Sequence, residues 1–421
     1  MEKKIIAENG IPLYTYRNPH SHSFYISLFL LSGSMYESDS EAGITHFFEH
    51  ISIRNVNHLM DGGLYALLDR YGLEFNASTY NEMVQFYISG STEHYSVAID
   101  IISRLLCPVE LPKSEIDAER ARIRAEIREA GDRTTLQGFT QEWVWRETSL
   151  SRSIMGSLGT ISKIGKRALE SYRRRVFTKD NLFFYLTGNV TEEMTEELSR
   201  AVGGYQLSSG EQHRNIAPVP RNFGSRGADI RIKNADFTSL RLTFDVDMSK
   251  VTVQELDLLY LQLVGGYSSD FYIELSEKRG LFYDLMGATE RYANIGTISF
   301  TYELREAKLY EALVMTIDIL SRFKVAPLEK DRYLTATYVD NAFSLLDDNA
   351  ELNFTFAYDN HVMSLGYSDL AARREAYLKV TPERIMEVAR QIFTPDNLTL
   401  TMKGNKRRID TGKLYSILNE L

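Results

Sequence analysis

At 421 residues the chain is too long for one ordinary hydrophobic core, and a soft prior of one domain per roughly 100–200 residues favours two large units. A composition of 43% hydrophobic, 25% charged and 11% aromatic residues allows a sizeable buried interior and excludes disorder on a large scale. The net charge of −9, with no long lysine or arginine run, argues against nucleic acid or an anionic membrane surface as the partner.

The N-terminal stretch MEKKIIAENGIPLY lacks the apolar segment of a secretory signal, and the longest apolar runs, such as FYISLFLL, are strand-sized. No membrane span is expected. Cys107 is the single cysteine, so no intrachain disulfide can form and a reducing compartment fits best. The expected location is the cytoplasm. Alternation then predicts strands near 5–16, 23–32, 73–78, 83–90 and 181–188. Helical periodicity predicts helices near 41–52, 62–71, 92–107, 112–130 and 162–176.

The chain repeats itself. VFTKDNLFFYLTGN, beginning at Val176, and IFTPDNLTLTMKGN, beginning at Ile392, agree at seven of fourteen positions and lie about half a chain apart, as an internal duplication would leave them. Each half opens with strand-like alternation, FYISLFLLSGS in one and SLRLTFDVD in the other. Each also carries a Gly-Leu step after a helix, in RYGLEFNAST and KRGLFYDLMG. Between them YQLSSGEQHRNIAPVPRNFGSRGA, with Pro218 and Pro220, reads as a linker. The expected organisation is 1–207 for one half, 208–228 for the linker and 229–421 for the other half. Neighbouring strands such as 73–78 and 83–90 point to antiparallel pairing. The fold class is therefore α+β, two homologous halves, each a mainly antiparallel sheet with helices packed on one face.

The stretch GITHFFEH carries the chemistry. On a helix His46, Glu49 and His50 share one face while Phe47, Phe48 and Ile51 turn inward. Two imidazoles one turn apart can hold one Zn²⁺, and a catalytic site then needs a third protein ligand and an open position. His-x-x-Glu-His is also the inverted form of a zinc-protease signature. The bland alternative is a solvated or structural cluster of polar side chains. A carboxylate partner is available on LPKSEIDAERARIRAEIREAGD, a long helix with Gly131 at its end. Glu119 and Glu126, two turns apart, share a face of it, and composition does not choose between them and Glu115 or Glu129. His20, His22, His58, His94, His213 and His361 have no partner at ligand spacing and read as structural. The corresponding helix of the second half, TVQELDLLYLQLVGG, has no histidine, so one half alone is built for metal.

Taken with GSMYESDSEAGITHFFEH, NASTYNE, DAERARIRAEIREAGD, ELSEKRGLFYDL and the terminal TPERIMEVARQIFTPDNLTLTMKGN, the sequence resembles the insulinase, pitrilysin and mitochondrial processing peptidase family of zinc metalloproteases, in its short bacterial form. The resemblance covers nearly the whole chain. It implies a zinc endopeptidase acting on short unfolded peptides in a closed chamber, with His46, His50 and Glu126 as metal ligands. It also implies Glu49 as the general base and Glu119 as the carboxylate that orients the site. EFNASTY resembles the family's edge strand, on which an extended peptide pairs, so Asn76, Ala77 and Ser78 are candidate substrate contacts. An Arg–Tyr pair in the family's second half contacts substrate; here Tyr283 is present and Ser276 stands at the arginine position. That departure implies a heterodimer, with a related zinc-lacking sister subunit supplying the pair, of the kind seen in peptide-maturation proteases. The competing expectation is a catalytically weak peptide-capture or structural subunit of the same family.

Overall fold

The computed structural model describes residues 1–130, 135–220, 228–232, 237–265, 267–282, 284–325 and 349–421. They form two compact units, each discontinuous in sequence. The first comprises Met1–Gly131, Arg152–Asn215 and Ser344–Leu370, the second Asp132–Ser151, Ile216–Phe343 and Ala371–Leu421. Each sheet thus takes its strands from one half of the chain, while each unit also incorporates a segment from the other half.

The first unit is built on six strands: β1 (Lys3–Ile6), β2 (Pro12–Arg17), β3 (Ser23–Leu30), β4 (Glu74–Thr79), β5 (Val84–Ser91) and β6 (Leu182–Gly188). Their order is β1-β2-β6-β3-β5-β4, antiparallel throughout except for the parallel β2–β6 pair. The strand expected over 5–16 is two strands because Gly10, at φ +90°, turns the chain between them. Alternation sends Phe24, Ile26, Leu28 and Leu30 of β3, with Val84, Phe86 and Ile88 of β5, to one face. There they pack with the apolar sides of α1 (Ile44–Leu59), α2 (Leu64–Tyr71), α3 (Tyr95–Ser103) and α4 (Lys113–Ala130). The opposite face takes a helix from the far end of the chain, Asn349–Ala357. Buried Asn353 accepts from Ser27 Oγ at 2.7 Å and donates to the Tyr185 carbonyl at 2.9 Å.

The second unit repeats the plan with β7 (Ala228–Ile232), β8 (Phe237–Asp247), β9 (Asp284–Arg291), β10 (Ile295–Arg305) and β11 (Leu398–Gly404), in the order β7-β11-β8-β10-β9. Here too one pair, β7–β11, is parallel and the rest antiparallel. The repeated sequences fall on β6 and β11, which hold the same place in their sheets, and both Gly-Leu steps lead into edge strands, β4 and β9. Leu240, Leu242, Phe244 and Val246 of β8 face a core closed by helices Val253–Val264, Leu309–Phe323 and Pro382–Ile392. The reverse face is polar, and helix Leu136–Val144 lies on it, with Thr140 and Thr401 hydroxyls 2.6 Å apart.

Candidate metal centre

Helix α1 begins under tight constraint. Gly43 precedes it at φ +90°, and a Cβ there would lie 2.5 Å from the Met155 carbonyl oxygen, so only glycine fits. Buried Glu37 receives the first free amides of the helix, accepting from Gly43 N and Thr45 N at 2.8 Å each. An acid at this end also answers the positive pole of the helix. Burial pushes the Glu37 carboxyl up to about 7, against the opposing effect of its bonds to Thr45 and Gly43. Thr45 Oγ1 meets the buried Tyr172 hydroxyl at 2.8 Å. The first turn is thereby fixed, and with it the direction of His46.

One turn on, the rings of His46 and His50 lie 4.6 Å apart at 71°. Phe47, Phe48 and Ile51 are buried beneath them. The helix expected over 41–52 starts at Ile44 and continues to Leu59, where Val56 is buried in the core and Asn55 is held by the chain at Pro108 and Glu110.

Helix α4 runs antiparallel to α1, and its carboxylates are shared out along it. Glu115 pairs with Arg54 (Nε–Oε2, 2.6 Å), Glu119 Oε2 lies 3.2 Å from His50 Nδ1, and Glu126 Oε2 lies 3.6 Å from His50 Nε2. The four acids left open by composition are thus separated: Glu129 is exposed, Glu115 is taken by arginine, and the two others address opposite nitrogens of one ring. Each of His46, His50 and Glu126 presents one ligand atom, and these atoms lie within 4.8 Å of one another. Tetrahedral coordination at about 2.0–2.1 Å requires donors roughly 3.4 Å apart; His50 Nε2 and Glu126 Oε2, 3.6 Å apart, are near that spacing, and the full set would draw in from within 4.8 Å. Burial, with the charge of His50 adding to it, pushes His46 down to about 4, so its imidazole is neutral at pH 7 as a metal ligand must be. Its Nδ1 is buried and has no hydrogen-bond partner among the described residues. Two nitrogens and a carboxylate oxygen form a donor set suited to zinc. The hydrogen bond from His50 holds the Glu119 carboxyl below the usual range, so it stays an acceptor that fixes the ring.

Glu49 projects from the same face of α1 and is 8% exposed. Burial raises its carboxyl above the ordinary value, and a 2.6 Å hydrogen bond from Thr79 Oγ1 to Oε2 works against that rise. Thr79 ends β4 and was not among the residues singled out from sequence. Its signal was available in the alternation, since Phe75, Ala77 and Thr79 share the face toward α1. β4 lies at the sheet edge, and its exposed Asn76 and half-buried Ala77 and Ser78 follow one another along that edge. Asn76 Oδ1 accepts from Ala77 N at 2.9 Å.

Tyr283 lies outside the described residues. Ser276 sits in a π-helical turn, Tyr272–Glu277. The neighbouring cations are both tied to Glu274: Arg279 through the Glu274 carbonyl at 2.9 Å and Oε2 at 3.2 Å, Lys278 through Oε1 at 2.7 Å. Among the described residues no helix is long and apolar enough to cross a membrane.

Comparison with known proteins gives a consistent result. A family model described as Insulinase (Peptidase family M16) matches residues 13–158, which include His46, Glu49, His50, Glu119 and Glu126. A second, described as Peptidase M16 inactive domain, matches residues 163–336. A protein of Rickettsia bellii named an uncharacterized zinc protease is 24% identical over 395 residues, covering 92% of this chain and 91% of its own. The crystal structure of a protease from Helicobacter pylori superposes with a TM-score of 0.85 at 17% identity, over 96% of this chain and 99% of that one. The periplasmic protease PqqL of Escherichia coli gives a TM-score of 0.80 at 16% identity, over 100% of this chain but 50% of its own.

Proposed function

The chain belongs to the insulinase family of peptidases, family M16, and on that premise we propose that it is a zinc-dependent endopeptidase cleaving short unfolded peptides within a closed chamber in the cytoplasm. The observation that carries this reading is the convergence of His46, His50 and Glu126 to within 4.8 Å beside a buried glutamate. When bound there, zinc lowers the pKa of its water toward about 7 and polarises the scissile carbonyl. The protein's own part is assigned as follows. Glu119 orients His50. Glu49 takes a proton at Oε1, the oxygen that Thr79 leaves free, and returns it to the leaving amine. Asn76, Ala77 and Ser78 pair with the extended peptide along the free edge of β4.

Glu49→Gln tests the assignment. Its zinc content, measured by atomic absorption, stays at the wild-type level, while cleavage of a quenched peptide library falls by at least about 100-fold. Equal turnover by the two proteins refutes it.

A zinc-lacking sister subunit supplying an Arg–Tyr pair completes the chamber in this reading, and the pair acts in peptide maturation. Two observations support it. Ser276 stands where arginine is expected, and the nearby Arg279 and Lys278 are engaged by Glu274. The Escherichia coli protease that this chain matches end to end is twice as long, which fits a chamber made from two such lengths. The same Ser276 favours the second reading, a peptide-capture subunit that is catalytically weak alone. Cleavage assayed with and without a co-purified partner separates the two, because zinc without cleavage in both conditions selects capture.

A further inference from the structure

We propose that Thr79 is a positioning residue for Glu49, through which the alignment of the general base is set by the strand that receives the substrate. The proposal rests on the peptidase reading above. Its geometric content is a 2.6 Å hydrogen bond from Thr79 Oγ1 to Glu49 Oε2. That length is typical of a charge-assisted O–H···O⁻ bond.

Three features make the hydroxyl a fixed reference and not an incidental neighbour. Threonine is branched at Cβ, so its χ1 is stiff and the direction of Oγ1 follows the backbone of β4. That backbone is held in register on its inner side, with Thr79 opposite the fully buried Val84. The residue after it is clamped from two sides: Tyr80 N donates to the Met83 carbonyl at 2.8 Å, and Ser34 N donates to the Tyr80 carbonyl at 3.1 Å. Glu49, by contrast, reaches the site through a flexible side chain and is 8% exposed, so little solvent is present to hold its carboxylate. Thr79 binds Oε2, which anchors that oxygen of the group and leaves Oε1 to act.

The consequence concerns catalysis more than binding. The outer edge of β4 carries no further strand among the described residues, so a peptide pairing there adds to the same strand that ends in Thr79. Ordering of that strand by substrate is passed to Glu49 through a single hydroxyl. Losing the hydroxyl therefore lowers kcat and spares KM.

The test uses Thr79→Val, which keeps the shape and removes the donor, and Thr79→Ser, which keeps the donor. In Thr79→Val, kcat falls about 10–100-fold, KM stays within about twofold and zinc content is unchanged. Thr79→Ser recovers most of the loss. Crystal structures of the metal-free variants supply a readout independent of activity: the Glu49 carboxylate leaves its position in Thr79→Val and returns to it in Thr79→Ser. Thr79→Ala replaces Thr79→Val if the latter does not fold. An unmoved Glu49 in Thr79→Val, or a Thr79→Ser as impaired as Thr79→Val, overturns the proposal. Glu49→Gln assayed in parallel keeps the two claims apart, because full cleavage by that variant removes the general-base assignment of Glu49, and no cleavage by the wild type removes the peptidase reading, while the crystallographic comparison still judges whether Thr79 positions the Glu49 carboxylate.

Discussion

Helices α1 and Val253–Val264 follow equivalent strands, β3 and β8, in sheets of one connectivity, yet they use their polar faces in opposite ways. Both bury an apolar stripe, Phe47, Phe48 and Ile51 in one and Leu256, Leu259 and Leu263 in the other. In the second helix each acid meets a donor of its own. Glu255 accepts from Arg384 Nε at 2.8 Å, and Asp257 accepts from Arg291 at 2.9 Å and from the Tyr377 hydroxyl at 2.7 Å. The imidazoles of α1 instead face carboxylates of α4, Glu119 and Glu126, and His46 Nδ1 is buried with no hydrogen-bond partner among the described residues. A polar face whose charges close locally serves the fold, whereas one that gathers lone pairs calls for a cation. Among the described residues this is the one cluster with ligand spacing.

The strongest way to break the contrast is to remove a donor from α4. Glu126→Gln keeps the shape and the surface position of the residue, which is a third exposed at its side chain, so the fold should hold. Zinc affinity is expected to fall by more than the roughly 10–100-fold typical of losing an outer-shell carboxylate. Equilibrium dialysis against a zinc buffer measures it. Wild-type affinity in Glu126→Gln would mean that Glu126 is not a ligand and that another carboxylate of α4 holds the metal.

The same contrast explains what could be read without coordinates. His46, Glu49 and His50 were legible because helical spacing alone puts them on one face. The duplication was legible because the repeated stretches became β6 and β11. Period and composition left the choice among Glu115, Glu119, Glu126 and Glu129 open, since it depends on how far α4 is offset along α1, a quantity set by packing; only the family resemblance pointed to Glu126 and Glu119. Alternation places Thr79 on the face toward α1, yet a threonine in a strand is ordinary until the helix opposite it is known. The turn at Gly10 and the extension of α1 to Leu59 were obscured for a related reason. One depends on a single positive φ, the other on Asn55 making contacts far away in sequence. Nothing in sequence order could announce that segments 132–151 and 344–370 belong to the unit of the opposite half.

The N-termini of the two helices sharpen the contrast through pH. Glu37 caps α1 as a buried, ionisable group whose carboxyl is pushed up to about 7, above the ordinary 4.5. Because the folded-state value is raised, its stabilising contribution is complete below about pH 4.5. It is lost as pH rises, since the unfolded chain ionises first, and is gone above about 7. A separation of this size corresponds to about 3 kcal/mol. Glu37→Gln retains an acceptor and does not titrate. Chemical denaturation of metal-free protein at pH 5 and pH 8 should show the variant gaining on the wild type at the higher pH. A constant difference between the two proteins would show that Glu37 does not carry this pH dependence.

The smallest effect belongs to the other helix, whose start is capped by a hydroxyl. Thr252 Oγ1 accepts from Glu255 N at 3.3 Å and Glu255 Oε2 accepts from Thr252 N at 2.9 Å, a reciprocal pair at the first turn. Thr252→Ala removes the first of these bonds and should cost about 1 kcal/mol. The second survives, because Arg384 still holds Glu255 through Nε and also donates to the Lys250 carbonyl at 2.6 Å. Threonine does not titrate, so the loss should be equal at pH 5 and pH 8 in the same denaturation experiment. A loss in Thr252→Ala that changed with pH would place a titrating group at this terminus as well, and the two helix starts would then differ in degree and not in kind.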